Sequence, residues 1–397
     1  MKGGGIVITG RGVVSPAGAG KDGLRGLLRE GRRALGEVEA FDAPCEAGEI
    51  KSFDLLDHVD DRRLRRAAPA TQYVAAAVAE ALGEAGIAGE AAGTGTGLVT
   101  AVTHGAVGFT CLFHRDLVIE GPLAASPALF SDSVLNAPAG NTAMAFAVRG
   151  PVHTIVGAAP AGLQAVELAV RLVASGRVER CIAAATEELN ERVVEAYFRM
   201  GLISPEAAPF GPARKGFLPG EGAAAVVVER MEAAARRGAA PLAAVASAAG
   251  DGGPSLEEAL GRICAPAAGS AGTAATADLL VSGANGGPAD AVEGRVMGAL
   301  LPEGTAVRGL KALTGEAFCA SALTSLVAAT FFLEEGEGAP SGAAPQDVST
   351  EWSWADFTAA AAAREVLVTA TGLRGEAAAV RLAATHIRIS MEGLAGL

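Results

Sequence analysis

Reactive and aromatic side chains are scarce in this sequence. Its 397 residues include five cysteines, five histidines, two tryptophans and two tyrosines, and aromatics account for only 4%. Five cysteines in a chain this long do not make a disulfide scaffold, and the absence of any CxxC pair gives no zinc signal. Charge is sparse too: 19% of residues are charged against 50% hydrophobic, which excludes a disordered chain. Basic excess is missing, because the formal net charge is −12, and this argues against nucleic-acid binding. The uncharged stretch Ala317 to Leu333 is marginal for a membrane span; it contains Ser and Thr, follows a glycine turn and reads as a buried helix. The apolar stretch Ile6 to Thr9 is too short for a signal-peptide core and has no cleavage site. The expectation is a cytoplasmic protein with no membrane, nucleic acid, metal or cofactor partner.

What is abundant is small. The chain holds 53 glycines and long alanine-rich stretches, which imply closely packed backbones rather than a core of large rings. At roughly 150 residues per domain, the length predicts two or three domains, or one architecture of two similar halves. Short β-branched runs closed by glycine read as buried strands: Ile6 to Thr9, Gly97 to Val102, Arg180 to Thr186 and Gly222 to Glu229. Helices are predicted over Asp22 to Arg32, with Asp22 as N-cap, and over Thr71 to Ala85. Another is predicted over Ala158 to Ala174, where Pro160 suits the first turn and Gly176 follows the end. Beyond about residue 240 the alternation begins again. Strands are predicted near Leu242 to Ser247, Leu279 to Ser282, Glu365 to Val368 and Ala378 to Leu382. Helices are predicted near Ser255 to Ile263, Ala291 to Leu300 and after Gly315. Such alternation indicates an α/β protein with buried sheets. Glu334 to Pro345 reads as a surface loop. The Arg62, Arg63, Arg65 and Arg66 cluster, with Arg25, Arg29, Arg32 and Arg33 earlier, is either a solvated face or a docking patch for an acidic carrier.

Several segments together resemble the β-ketoacyl-acyl-carrier-protein synthases, the condensing branch of the thiolase fold. They are the opening Ile6 to Gly18, Arg149-Gly-Pro151, Gly162-Leu-Gln-Ala165, Phe210 with Arg214 to Gly222, and Lys311-Ala-Leu-Thr-Gly315. The similarity runs in order along nearly the whole chain. It implies duplicated βαβαβαββ halves, residues 1–240 and 241–397, stacked in five αβαβα layers. It also implies a dimer acting on thioesters of acyl carrier protein.

The chemistry of that family needs a cysteine at a helix N-terminus, whose thiolate takes the acyl chain, and two histidines that stabilise the thioester oxyanion. Carried onto this chain, all three are missing. The cysteine position is Ala159, within Gly157-Ala-Ala-Pro-Ala-Gly162, and no Cys or Ser occurs between His153 and Leu172. The first histidine loop matches Val281 to Asp290, followed by Glu293, with Asn285 as the nearest polar substitute. The second ends in Gly315-Glu316 instead of Gly-His, and only Lys311 is retained. Glu316 and Lys311 read as an ion pair replacing a lost site, with a new acid/base couple as the alternative. His104 and His114 flank a Phe-containing segment that resembles dimer-interface material. His153 reads as a buried or partly buried histidine on the strand entering the elbow. His58 and His386 are peripheral, and the cysteines read as core.

A scaffold kept without its chemistry resembles the chain-length factor, the β subunit of type II polyketide ketosynthases. The resemblance implies pairing with an active ketosynthase subunit, although a homodimer stays open, and a tunnel whose length bulky residues set. Phe109, Leu112 and Phe113 are the substrate-lining candidates. Leu373, in Thr371-Gly-Leu-Arg-Gly375, stands at the family's gate position. Two other functions stay open: an enzyme of altered chemistry, such as a thioesterase, cyclase or acyltransferase, and an acyl or carrier-protein binding module.

Overall fold

The run that opens the sequence is longer than its apolar start. It forms β1 (Ile6–Ser15), which is buried almost throughout and turns through β2 (Gly18–Ala19) into α1 (Lys21–Glu30). The structure is a computed structural model that describes residues 5–87, 93, 95–211, 215–264, 277–303, 305–334 and 363–385. Trp352, Trp354, His386, Arg214 and most of the predicted 334–345 loop lie outside the described residues.

The first half continues through α2 (Pro69–Glu84), β3 (Thr96–Val102), α3 (Val107–Ile119), α4 (Pro127–Ser133), α5 (Ala137–Ala145) and β4 (Val152–Val156). It ends with α6 (Pro160–Ala174), β5 (Arg180–Glu187), α7 (Glu191–Arg199), β6 (Gly222–Arg230) and α8 (Met231–Arg236). The second half holds β7 (Ala243–Gly252), α9 (Leu256–Cys264), β8 (Leu279–Val281), α10 (Ala289–Leu300) and β9 (Ala306–Arg308). It closes with α11 (Lys311–Thr314), α12 (Phe318–Glu334), β10 (Glu365–Thr371) and β11 (Glu376–Ala383).

The strand order β4-β3-β5-β6-β1-β7-β11-β10-β8-β9 contains a repeat. Leaving β2 aside, each half reads third, second, fourth, fifth, first from its outer edge to its inner edge. Pairing sense repeats as well. β3 is parallel to β4 and β5, as β8 is to β9 and β10, and the remaining pairs in each half are antiparallel. The half-sheets join where Val7 and Ile8 of β1 pair with Ala244 and Ala243 of β7. Helix α2 covers the outside of β1 and β6, α6 and α12 lie between the half-sheets, and α9 covers β7 and β11 with α10 against it. That is the duplicated five-layer arrangement.

The shortage of rings and surplus of glycine follow from this stacking. A Cβ on Gly12 would stand 2.0 Å from the Ala77 carbonyl oxygen, and one on Gly10 would stand 2.0 Å from that of Ala81, so α2 rests on the bare backbone of β1. Between the sheets, a Cβ on Gly162 of α6 would stand 2.1 Å from the carbonyl oxygen of Cys319 in α12. Helix α12 is the predicted uncharged stretch, and every residue from Phe318 to Phe331 is buried. Among the described residues, no helix is long and apolar enough to cross a membrane.

Two local expectations need correction. Asp22 does not cap α1. The cap is Gly20 (φ 98°), and the Lys21 N–H is taken by the Glu80 carboxylate of α2 at 2.8 Å, so a distant acid does the work of a local one. His153 is exposed rather than buried, because β4 is the outermost strand of its half-sheet.

Candidate functional site

The parallel strands β3 and β5 end beside the N-terminus of α6, and open α/β sheets bind ligands outside such carboxyl ends. Ala159 occupies the N-cap position of α6 with helical backbone (φ −47°, ψ −40°) and is buried. Its methyl group offers neither a nucleophile nor a capping oxygen. The crossing of α6 and α12 at Gly162 brings the loop before α12 next to this helix start.

That loop carries Glu316. Its Oε2 accepts from Lys311 Nζ at 2.7 Å and from Asn285 Nδ2 at 2.7 Å, and its Oε1 accepts from the Phe318 N–H at 2.8 Å. Lys311 also donates to the Gly283 carbonyl at 2.8 Å. The Lys311 and Glu316 side chains are 3% and 2% exposed. The Glu316 backbone is tied as well: its N–H donates to Leu218 O at 2.8 Å, and its carbonyl accepts from Gly220 N at 3.0 Å. The three positions singled out in the sequence, Asn285, Lys311 and Glu316, therefore form one closed cluster. Asp290 shapes the Asn285 loop by accepting from the N–H groups of Asn285 (3.1 Å), Gly286 (2.9 Å) and Phe210 (2.7 Å). Burial pushes its carboxyl up, against the pull of those N–H groups and Lys311. Glu293, fully buried and also pushed up by burial, accepts from the Gly283 N–H at 3.1 Å and from the Thr369 hydroxyl.

A second cluster adjoins the first. His104, just past β3, places Nδ1 2.8 Å from Glu187 Oε1 and Nε2 3.1 Å from the Tyr197 hydroxyl. Glu187, at the end of β5, also accepts from the N–H groups of Thr103 (3.1 Å) and His104 (3.2 Å). The His104 ring stands edge-on to Phe318 at 4.8 Å, and Tyr197 stacks on Phe318 at 5.2 Å. Burial, and then the charges of Glu187 and Glu316, push the Tyr197 phenol up to about 12, which keeps it a neutral donor. Rings and carboxylates together leave a cavity of about 10 Å³ bordered by His104, Tyr197, Glu316 and Phe318. That is room for about one water. The sequence reading assigned His104 to the interface segment; the structure also builds it into this cluster. The signal it carried was Glu187-Glu188, two acids closing an otherwise apolar strand.

Glu188 links the cluster to α3 by accepting from the Gly108 N–H at 3.1 Å. Burial, opposed by that N–H group and reinforced by the charge of Glu187, pushes its carboxyl to about 7. Burial does the same to Glu221, which accepts from the N–H groups of Ile50 (2.7 Å) and Leu189 (3.0 Å). The ordinary glutamate value lies near 4.5, so the folded chain holds these protons more tightly than the unfolded one. The stability they confer is complete at low pH and is lost as pH rises through about 7. Glu188→Gln is therefore expected to match the parent at pH 4, below the unfolded value, and to exceed its stability at pH 8 by up to about 3 kcal/mol. Urea unfolding at the two pH values measures this.

The other candidates lie apart from the cluster. Phe109, Leu112 and Phe113 lie on α3, of which no residue is buried; the Phe113 ring packs 5.4 Å from Phe130 of α4. Leu373 is exposed in the turn between β10 and β11. Cys181, Cys264 and Cys319 are buried, and burial pushes the first two thiols up to about 12 and the third higher, so none is a ready thiolate. Among the described residues, no group of three His, Cys, Asp or Glu is arranged to hold a metal ion.

Comparison with known proteins decides the family. The profile described as Beta-ketoacyl synthase, N-terminal domain, matches residues 4–234. The chain belongs to the β-ketoacyl synthase family. It is 30% identical over 347 residues to the granaticin polyketide β-ketoacyl synthase 2 of Streptomyces violaceoruber, covering 83% of each chain. It is 30% identical over 255 residues to 3-oxoacyl-[acyl-carrier-protein] synthase 2 of Vibrio harveyi, a match spanning 59% of this chain and 60% of that one. The fold matches the ishigamide ketosynthase/chain length factor structure with TM-score 0.81 at 22% identity, over 96% of this chain and 99% of that chain.

Proposed function

We propose that this chain is the non-catalytic subunit of a ketosynthase pair, a chain-length factor shaping an acyl tunnel in cytoplasmic polyketide or polyene/fatty-acyl assembly. The observation that carries this reading is the head of α6. Ala159 stands at the nucleophile position, while Asn285 and Glu316 stand at the histidine positions and are tied to Lys311 in a closed ion pair. A thioester there meets no thiolate, neither of those two positions supplies an imidazole, and the adjoining cavity, which His104 borders, has room for little beyond one water.

An active ketosynthase subunit needs a surface to dock on. Among the described residues β4 pairs on one side only, with Val156 54% exposed; α5 packs against it, α4 against α5 and α3 against α4. Val118 and Ile119 of α3 are 80% and 75% exposed. A bare edge strand invites pairing, and an apolar surface of this kind marks an interface. On this reading Phe109, Leu112 and Phe113 line the tunnel from the α3 side, and Leu373 marks a gate that lost its ring. Co-expression with an active ketosynthase is expected to give a stable heterodimer that condenses acyl groups, the chain alone being inert. A stable homodimer with no affinity for any ketosynthase overturns it.

Acyl carrier protein is the second partner. Arg62, Arg65 and Arg66 are exposed before α2, while Arg63 pairs with Asp61 at 2.6 Å. Arg65→Glu/Arg66→Glu is expected to weaken carrier binding by about 10-fold at low salt, with the difference shrinking at high salt. Titration of labelled carrier against the complex measures it.

One observation favours a second reading, an enzyme of altered chemistry: His104 bridges a buried carboxylate and a tyrosine hydroxyl, as a base between orienter and donor would. Turnover of acyl thioesters by the chain alone, lost on His104→Ala, selects that reading.

A further inference from the structure

Arg177, Arg230 and Arg236 border one surface cavity of about 250 Å³, far from the cluster described above. Gly95, just before β3, and Glu179, just before β5, also line it. It therefore opens at the start of the strands whose ends hold His104 and Glu187. Seven residues of strand separate the two ends by about 23 Å.

The charges at this end are unevenly matched. Arg171 pairs with Glu167 at 2.5 Å, Arg180 with Glu179 at 3.5 Å, and Arg237 with Glu229. Arg177 and Arg236 have no ion-pair partner among the described residues. Arg230 donates to the Ala174 carbonyl at the end of α6 (2.6 Å), which fixes its guanidinium at the cavity wall with donors to spare. Glu179, the only acid among the described residues that line the cavity, lies over Gly95, where an added Cβ would stand 3.2 Å from its Oε2. Three arginines and one glutamate lining one surface cavity leave it a local positive excess in a chain of net charge −12, which a shared anion would balance. Planar, multi-donor guanidinium groups suit a tetrahedral oxyanion with several acceptor oxygens. The volume lies just below the ~300–1,000 Å³ of small-molecule sites, which suits a phosphoryl group with a short tail.

We propose that Arg177, Arg230 and Arg236 form a receptor for a phosphomonoester, either free or carried on a pantetheine arm. The site stands apart from the ketosynthase cluster and does not depend on the pairing proposed above. Calorimetric titration of the full chain at fixed ionic strength, with inorganic phosphate and with 4′-phosphopantetheine, tests it. Saturable binding is expected with at least one of them, weakened by about 10-fold or more in Arg177→Gln/Arg236→Gln. Both residues are exposed, so the variant should keep the parent's unfolding midpoint. Tighter binding of phosphopantetheine than of phosphate assigns the site to the arm, and equal binding assigns it to a free phosphoryl group. No saturable binding, an unchanged affinity in the double variant, or succinate binding as tightly as phosphate overturns the proposal.

Discussion

Glu316→Ala is expected to destabilise the fold by about 3–5 kcal/mol, the usual cost of removing one partner from a buried ion pair. Lys311 would keep its charge in a site 3% exposed, with only the Gly283 carbonyl for company. The Asn285 amide and the Phe318 N–H would each lose their acceptor as well. The attraction of the pair does not by itself make the site favourable, because both ions had to be desolvated. Lys311→Met/Glu316→Leu, which removes both charges and keeps the volume, is therefore expected to recover most of the loss. Urea denaturation separates these outcomes through the midpoint at constant slope. A loss under about 1 kcal/mol for Glu316→Ala would mean that water reaches Lys311, and the picture of a closed cluster would fail.

This pair was legible in the sequence because its members stand five residues apart in one loop. The place of Ala159 at a helix start was legible for a similar reason, because Pro160 and Gly162 make a local pattern. Helix α12 was legible from its lack of charge. The second cluster was not. His104 meets Glu187 and Tyr197 across 83 and 93 residues, and nothing near His104 in sequence announces either partner. The cap of α1 failed for the same physical reason, since Glu80 comes from a helix 59 residues away to satisfy the Lys21 N–H. Strand periodicity showed that the halves alternate, but not that their strand orders repeat. Order is set by which strands pair, and in buried parallel strands every face is apolar, so the pattern carries little record of the neighbour. The exposure of β4 was hidden too, because Val152 to Val156 reads as apolar and strand-like whether or not a partner covers it.

That exposure leads to the second large effect. Val156→Lys is expected to abolish co-purification with a ketosynthase, weakening association by at least ~100-fold, or about 2.7 kcal/mol. Val156 ends the outermost strand and already faces solvent in the single chain, so the fold itself should change by no more than about 0.5 kcal/mol. In the proposed pair the same position is covered. A lysine there would either lose its hydration or hold the two edges apart, and charged side chains on edge strands block this kind of pairing. Phe198→Lys is the control. Phe198 is also a large exposed apolar residue, but it lies on α7, outside the flank formed by β4, α5, α4 and α3. If the flank is the interface, Val156→Lys separates the subunits and Phe198→Lys leaves them joined. Equal retention of the partner by both variants would move the interface off β4. The tunnel assigned to Phe109, Leu112 and Phe113 would then lose its second wall, because α3 borders an acyl path only if a partner closes it from the other side.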